Sequence, residues 1–314
     1  MTDDKNRRPD DPDALRTAVS EGYARVAEGG SGCCSTSCCS KAMPQTTSLE
    51  LGYESDDLNT LPDGADLGLG CGAPVVAAEL KPGETVLDLG SGAGIDAFLA
   101  VREVGSEGRV IGVDMTDAMI EKARANAEQA GHPNVEFRKG LIEDLPVDDA
   151  SVDAILSNCV INLSPEKDRV FREAYRVLRP GGRMVFSDIV LEEALPESIA
   201  KHIDATVGCV GNAALRDDYL KAASDAGFGV EILAEGESAA LVHSIQVRID
   251  ISIKKHATVG MAIVGHEDCG GNPVDKPAQL TQLIAARKFL RETYPDLESI
   301  ALWVDLKGNV EELD

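Results

Sequence analysis

Apolar and polar positions follow two rhythms along the middle of the chain, one typical of strands and one of helices. Short apolar runs predict buried strands at 85–89, 109–114, 135–138, 151–157 and 183–190. Between them, apolar residues recur at helical spacing and predict helices at 94–104, 116–130 and 165–178. This alternation predicts an α/β protein with a parallel, doubly wound sheet.

The flanks of this core have their own patterns. Residues 14–28 read as a helix, whereas the Gly, Ser and Cys residues of 29–41 predict a loop. Further along, helices near 196–207 and 215–226 precede a strand at 229–234.

The pattern changes again around residue 236. Strict alternation predicts a strand at 245–253, and a small α/β unit follows, with strands at 259–264 and 299–305 around a helix at 276–293. We therefore expect a cysteine-rich N-terminal segment (1–72), a central domain (73–235) and a C-terminal appendage (236–314).

The net charge of the chain limits the classes of binding partner that we expect. The 314 residues carry 54 acidic and 30 basic side chains, a net charge of −24 that disfavours nucleic acid and anionic membranes. Scattered carboxylates suit a salt-rich cytoplasm, with simple solubility as the alternative. No apolar run has the roughly 20 residues needed to cross a bilayer, and the first residues lack a signal-peptide core, so we expect a cytoplasmic protein.

Eight cysteines fall into distinct settings. Four are clustered, three stand in turn-like segments and one lies near the C-terminus: Cys33, Cys34, Cys38 and Cys39; Cys71, Cys159 and Cys209; and Cys269. In an intracellular protein, this favours metal, metalloid or redox chemistry over structural disulfides.

A glycine-rich loop lies between the first cysteines and the later ones. Segment 86–94, VLDLGSGAG, follows a predicted strand and opens a helix, where glycines let the backbone approach a ligand. Asp114 ends the next strand, where an acidic side chain accepts hydrogen bonds from ribose hydroxyls. A tight strand-to-helix turn is the alternative reading of the loop.

The glycine spacing is GxGxG, and two further segments accompany it. With GLIEDLP at 140–146 and RVLRPGG at 176–182, the loop resembles the class I S-adenosylmethionine-dependent methyltransferases. The resemblance implies a Rossmann-like sheet with S-adenosylmethionine as cofactor. The implied cofactor-binding residues are Asp88, Gly90, Ser91, Gly92, Gly94, Asp114, Met115, Ile142 and Glu143.

Three segments that contain cysteine indicate a more specific resemblance within this class of methyltransferases. LGLGCGAP at 67–74, SNCVINL at 157–163 and VGCVG at 207–211 resemble the three metalloid-binding segments of arsenite methyltransferases, a resemblance that covers about residues 14–235. It implies that Cys71, Cys159 and Cys209 bind trivalent arsenic at the catalytic site. It also implies an arsenic relay or redox role for the clustered cysteines, with a thioredoxin- or glutathione-type reductant as partner.

The chemistry of the residues agrees with this resemblance. Thiolates are soft ligands that suit a thiophilic centre. Arsenic held by three of them keeps a lone pair that can attack a sulfonium methyl without a general base, so alignment would supply the catalysis. Two alternatives stay open: a small-molecule C- or O-methyltransferase with buried cysteines, and a non-catalytic metalloid-binding protein.

The C-terminal appendage carries a different motif. VGHEDCGG at 264–271 and LWVD at 302–305 resemble part of a β-carbonic anhydrase-like domain, in which His266 and Cys269 would bind zinc. The upstream cysteine and aspartate ligands are missing, and a protein zinc site needs three or four ligands. We expect a degenerate, non-catalytic appendage, with an active zinc centre as the alternative. This resemblance predicts a helix before Val259, where the alternation predicts a strand.

Overall fold

The fold was analysed in a computed structural model, which describes residues 7–29, 48–239, 242–251, 260–266, 298–304 and 310–313. Two compact units divide after Ser252. In the first, seven strands form one sheet in the order β3-β2-β1-β4-β5-β7-β6. The strands are β1 (Thr85–Leu89), β2 (Arg109–Asp114), β3 (Val135–Lys139), β4 (Val152–Asn158), β5 (Leu178–Leu191), β6 (Phe228–Ala239) and β7 (Val242–Ile251).

Helices cover both faces of this sheet. They are α1 (Pro12–Ala27), α2 (Ser55–Leu58), α3 (Pro74–Ala77), α4 (Ile95–Val104), α5 (Asp117–Ala130), α6 (Lys167–Val177), α7 (Glu197–Ala200), α8 (Ile203–Val207) and α9 (Arg216–Asp225). Alternate strand residues point to opposite faces. Val86 and Val110 share one core with α4 and α5, and Leu87 and Ile111 share the other with α6 and α9. The predicted doubly wound α/β sheet is confirmed.

The last two strands extend this sheet beyond the expected boundary. β7 pairs antiparallel with both β5 and β6, so residues 242–251 lie inside the first sheet. Over the described residues 242–251, the strand predicted from alternation is present and the helix implied by the carbonic anhydrase resemblance is not. The junction expected at residue 236 falls within β6, and the two units divide after Ser252 instead.

One predicted helix is interrupted. Residues 196–207 form the two short helices α7 and α8, because His202 adopts an extended conformation between them. His202 forms an isolated bridge with Arg7, and the neighbouring Arg8 amide donates to the Lys201 carbonyl at 2.7 Å. The N-terminal chain therefore occupies backbone groups that a continuous helix would need.

The second unit contains a three-stranded sheet in the order β10-β9-β8. β8 (Gly260–His266) and β9 (Glu298–Val304) are parallel, and β10 (Val310–Leu313) is antiparallel to β9. The strands predicted at 259–264 and 299–305 correspond to β8 and β9, and the helix predicted at 276–293 lies outside the described residues. Within the described parts of the chain, no helix combines the length and apolar character required to span a bilayer.

Candidate active site

The glycine loop after β1 adopts a backbone that requires glycine. Gly90 and Gly92 have φ angles of +61° and +52°, in the left-handed region that disfavours side chains. A Cβ on Gly90 would lie 2.2 Å from a methyl of Val160, whereas one on Gly92 would meet nothing within 4 Å. Gly90 therefore packs against the loop after β4, and Gly92 faces open space.

Asp114 at the end of β2 holds this loop in place. Its carboxylate accepts hydrogen bonds from the Gly92 amide at 3.1 Å and the Thr116 amide at 2.8 Å. Burial raises the pKa of Asp114, although these hydrogen bonds oppose the shift. The loop and the acidic residue, predicted from separate segments, are thus directly bonded.

A cleft opens along the ends of β1, β2 and β4. Eight of the nine residues predicted to bind the cofactor line it: Asp88, Gly90, Ser91, Gly92, Asp114, Met115, Ile142 and Glu143. Gly94, the ninth, is the residue that caps the N-terminus of α4. Within the described residues, Asp88 Oδ2 and Ser91 Oγ are buried without a hydrogen-bond partner. Such groups are costly unless a ligand satisfies them.

Helix α1 closes the far side of the cleft. Asp11 caps this helix, and Pro12 begins it, which explains why it starts there. Arg16 on the helix donates to Glu143 at 3.1 Å and also pairs with Glu166. Sequence reasoning predicted the helix but not the contact of Arg16 with a residue of the cofactor site.

A buried polar network connects the cleft to Cys71. Tyr53 donates to Asp96 at 2.9 Å, and the Asn158 side chain donates to the Tyr53 hydroxyl at 2.9 Å. The side-chain oxygen of Asn158, Oδ1, in turn accepts from the Cys71 amide at 3.0 Å. Burial raises the pKa of Asp96 to about 6, against the opposing effect of its Asn158 and Tyr53 hydrogen bonds. The sequence analysis did not assign this network.

The three cysteines from distant segments lie together. Cys159 follows β4 at the cleft, and the Cys209 thiol donates to the Cys159 carbonyl at 3.0 Å. Sγ atoms of Cys71 and Cys159 and a carboxylate oxygen of Asp188 all lie within 4.8 Å of one another. Cys159 and Cys209 both have positive φ angles, of 58° and 65°. Such strain in a non-glycine residue persists only where the surrounding structure enforces it.

The thiols are held in their neutral form. The hydrogen bond from Cys159 favours a Cys71 thiolate, but burial and Asp188 outweigh it and raise the pKa of Cys71. The pKa of Cys159 is raised well above its usual range, because Cys71 and burial outweigh the favourable hydrogen bond from Cys209. The pKa of Cys209 is also well above its usual range, owing to its bond to Cys159 and to burial. These shifts favour the protonated form of all three thiols.

Two charged residues beside the thiols were missed by the sequence analysis. Asp188, in β5, is fully buried and accepts hydrogen bonds from Asn162 and Tyr219. Lys167, at the start of α6, donates to the Asn212 carbonyl at 2.8 Å, and burial lowers its pKa to about 8. A lone carboxylate within the apolar run of β5 was the available signal for Asp188.

The surroundings differ between cysteines. Cys71 is half-buried and also lines a second cleft with Ser187 and Gln246. Cys209 is buried, with the Tyr23 hydroxyl 3.8 Å from its sulfur. The clustered cysteines Cys33, Cys34, Cys38 and Cys39 and the motif residue Cys269 lie outside the described residues. His266 ends β8, and its role as a zinc ligand stays a prediction.

Comparisons with known proteins place the chain in a family. Residues 80–227 match a family described as "Methyltransferase domain". A solved structure of an arsenic(III) S-adenosylmethionine methyltransferase from Chlamydomonas reinhardtii is 33% identical and superposes with a TM-score of 0.54, covering 69% of this chain and 76% of that one. The chain belongs to the arsenite methyltransferase family. This confirms the resemblance found in its cysteine segments.

Curated members of the arsenite methyltransferase family agree with this assignment. The protein from Halobacterium salinarum is 50% identical over 73% of this chain and 61% of its own length. The protein from Aquipseudomonas alcaligenes is 37% identical over 73% of this chain and 66% of its own length. The chain therefore spans less than two thirds of these relatives.

The C-terminal region of this arsenite methyltransferase family member matches a second family. Residues 204–314 match one described as "Putative carbonic anhydrase". The match begins within α8 and includes β6 and β7, which the structure assigns to the methyltransferase sheet. The likeness in sequence therefore extends across the division between the two units.

Proposed function

We propose that this protein transfers methyl groups from S-adenosylmethionine to trivalent arsenic bound by Cys71, Cys159 and Cys209. The observation that carries the proposal is the position of the thiol cluster. Cys159 lines the cleft of the glycine loop, and its sulfur lies within 4.8 Å of the Cys71 sulfur. A soft acceptor held there would lie beside a methyl donor bound in the cleft.

The residues of the cleft fit S-adenosylmethionine. Gly92 leaves open space where a side chain would stand, and the unpartnered Ser91 hydroxyl offers a hydrogen bond to a polar ligand. The Asp114 carboxylate, already fixed by two backbone amides, can accept from ribose hydroxyls. When bound, the cofactor supplies an electrophilic methyl group.

The neutral thiols suit arsenite as the incoming species. Each thiol can replace one hydroxyl group of arsenous acid, forming a sulfur–arsenic bond and releasing one water, so binding needs no net loss of protons. The arsenic lone pair then acts as the nucleophile, and the transfer removes no proton either. This accounts for a site in which burial raises the pKa of the thiols.

Repeated turnover would need a reductant. Methyl transfer takes arsenic from the trivalent to the pentavalent state, and two electrons from a pair of cysteine thiols would return it, leaving a disulfide. A thioredoxin- or glutathione-type system is the proposed partner, and Cys33, Cys34, Cys38 and Cys39 are candidates for the relay. The protein would then act in the reducing cytoplasm.

The central test is methyl transfer itself. The full-length protein is incubated with arsenite, a dithiol reductant and methyl-labelled cofactor, and the arsenic species are separated chromatographically. We expect labelled methylarsenic from the wild type and no product from Cys159→Ser, with cofactor binding retained in both. Cys269→Ser is the matched control, since it removes a thiol from the C-terminal motif, and we expect it to keep full activity.

Two results would contradict the proposal. If Cys159→Ser methylates arsenic at the wild-type rate, the assigned thiol site is wrong. If wild-type protein binds arsenite but never consumes the cofactor, the protein is a metalloid-binding protein and not an enzyme.

A further inference from the structure

Asp188 is a buried carboxylate beside the thiols, and the function proposed above gives it no role. Its side chain has no solvent exposure, and a carboxylate oxygen lies within 4.8 Å of the sulfurs of Cys71 and Cys159. Four hydrogen bonds hold it: from the Asn162 amide at 3.1 Å, the Asn162 side chain at 2.9 Å, the Ile189 amide at 2.9 Å and the Tyr219 hydroxyl at 2.8 Å. Burial raises the pKa of Asp188, and these four donors oppose that shift by favouring the ionised form.

The charge of Lys167 acts on Asp188 without direct contact and favours the ionised carboxylate. Among the described residues, none forms an ion pair with Asp188, and the Lys167 ammonium donates instead to the carbonyls of Ser164 and Asn212. The carboxylate also raises the pKa of the neighbouring thiols, after larger effects of burial and of their own hydrogen bonds. Asp188 therefore opposes thiolate formation, so assisting thiol ionisation does not explain its presence.

The methyl transfer step would bring a further positive charge next to this carboxylate. Before the step, the charge lies on the sulfonium sulfur of the donor, and arsenic bound by three thiolates is neutral. As the arsenic–carbon bond forms and the sulfur–carbon bond breaks, the donor becomes a neutral thioether and the arsenic centre acquires the positive charge. A fixed negative group next to the thiols favours this redistribution.

We propose that Asp188 stabilises the positive charge that develops on arsenic during methyl transfer. The inference rests on the function proposed above. Asn162 and Tyr219 position the carboxylate, so no reorganisation is needed during the reaction. Removing a preoriented group of this kind lowers turnover by about 10²-fold in comparable electrostatic sites.

The test separates charge from structure. Asp188→Asn removes the charge at similar volume, and Tyr219→Phe is the matched control, since it removes one hydrogen bond but keeps the charge. Single-turnover methyl transfer is measured at saturating arsenite and cofactor, with arsenite binding measured separately. We expect about a 10²-fold slower transfer for Asp188→Asn, less than a 10-fold loss for Tyr219→Phe, and unimpaired arsenite binding in both.

A second variant keeps the test decisive if loss of the Asp188 side chain disturbs folding. Asp188→Ala leaves a cavity, and we expect formate to restore part of the transfer rate, whereas neutral formamide of similar size does not. Transfer by Asp188→Asn within threefold of the wild type would overturn the inference, as would equal rescue by formate and formamide. An inactive wild type would instead refute the proposed function, and Asp188 would then have no such role.

Discussion

The cofactor cleft and the thiol site adjoin each other but are constructed differently. In the cleft, one continuous loop after β1 bonds to Asp114 at the end of the neighbouring strand, and other segments complete the lining. The thiol site collects Cys71, Cys159 and Cys209 from three distant segments, together with a buried carboxylate that no motif indicates. A site formed by a local segment can be read from a motif, whereas a site formed by topology needs the fold to define its environment.

The two regions also differ in how a buried carboxylate is held. In the cleft, Asp88 Oδ2 and Ser91 Oγ are buried without partners in the described structure, as suits a site that receives hydrogen bonds from a ligand. In the thiol site, Asp188 already has four donors, and both Cys159 and Cys209 are strained. The carboxylate of the thiol site is thus fixed in advance, although Asn162 Oδ1 and Ser187 Oγ in that region are also buried without partners in the described structure.

The largest expected effect is a loss of cofactor affinity that leaves arsenite binding unchanged, which would distinguish the cleft from the thiol site. Asp114→Ala removes a charged acceptor for two ribose hydroxyls, and we expect cofactor affinity to fall by roughly 10³-fold, about 4 kcal/mol. Arsenite binding should be unchanged, because Asp114 is not among the groups around the thiols. Isothermal titration measures the first quantity, and arsenic retained after desalting measures the second.

A surface variant provides the control for this prediction. Asp117→Ala, which removes an exposed carboxylate paired with Lys139, should leave cofactor affinity unchanged. A parallel loss of cofactor and arsenite binding in Asp114→Ala would mean that the two regions do not act independently.

Substitution of Lys167 tests whether a buried charge in the thiol region lowers the free energy of unfolding. Burial lowers its pKa from 10.5 to about 8, so protonation is less favourable in the folded state than in the unfolded one. The contribution of the neutral Lys167 amine to stability is fully present above pH 10.5, and it is lost as the pH falls through about 8. The linked change is on the order of 3 kcal/mol.

Urea denaturation at several pH values checks this expectation. The unfolding free energy of the wild type minus that of Lys167→Met should decrease as the pH falls from 10.5 to 7. The exposed Lys221, whose pKa is raised by its pairing with Asp225, gives a control of opposite sign in Lys221→Met. A difference that stays constant with pH would show that Lys167 is not perturbed by burial.

Gly90 lies where the two regions touch, and its substitution should affect both. A Cβ there would lie 2.2 Å from Val160, next to Cys159, so Gly90→Ala must shift the thiol loop as well as strain the glycine loop. We expect a loss of about 2 kcal/mol in stability and a lower affinity for both ligands. Gly92→Ala, which meets no atom within 4 Å, should lose only about 1 kcal/mol and affect the cofactor alone.

Thermal unfolding and the two binding assays distinguish these variants. Equal arsenite affinity in Gly90→Ala and Gly92→Ala would indicate that the contact with Val160 does not transmit a change to Cys159.

The sequence predicted the sheet and the cofactor loop well, because both depend on local patterns. Continuous apolar runs identified β1 to β4, and the glycine spacing identified the loop that bonds to Asp114. The environment of the thiols could not be predicted in the same way. Asp188 and Lys167 acquire their roles from burial and from neighbours more than 20 positions away in the sequence.

Two element predictions failed for similar reasons. The helix predicted at 196–207 is interrupted because His202 pairs with Arg7, a contact that helical periodicity cannot reveal. The boundary expected at residue 236 rested on a local change of pattern, whereas the pairing of β7 with β5 and β6 is a long-range property. The strand itself was visible from its alternation, but its place in the sheet was not.

The position of β7 has a consequence for synthesis on the ribosome. Residues 242–251 are the last strand of the sheet to be translated, yet they lie between β5 and β6. During synthesis, the N-terminal part of a chain emerges before the rest. Until β7 is released, β5 presents a 14-residue strand with one unpaired edge, which is a template for pairing with other chains. The edge of β5 is therefore exposed until just before the sheet is complete.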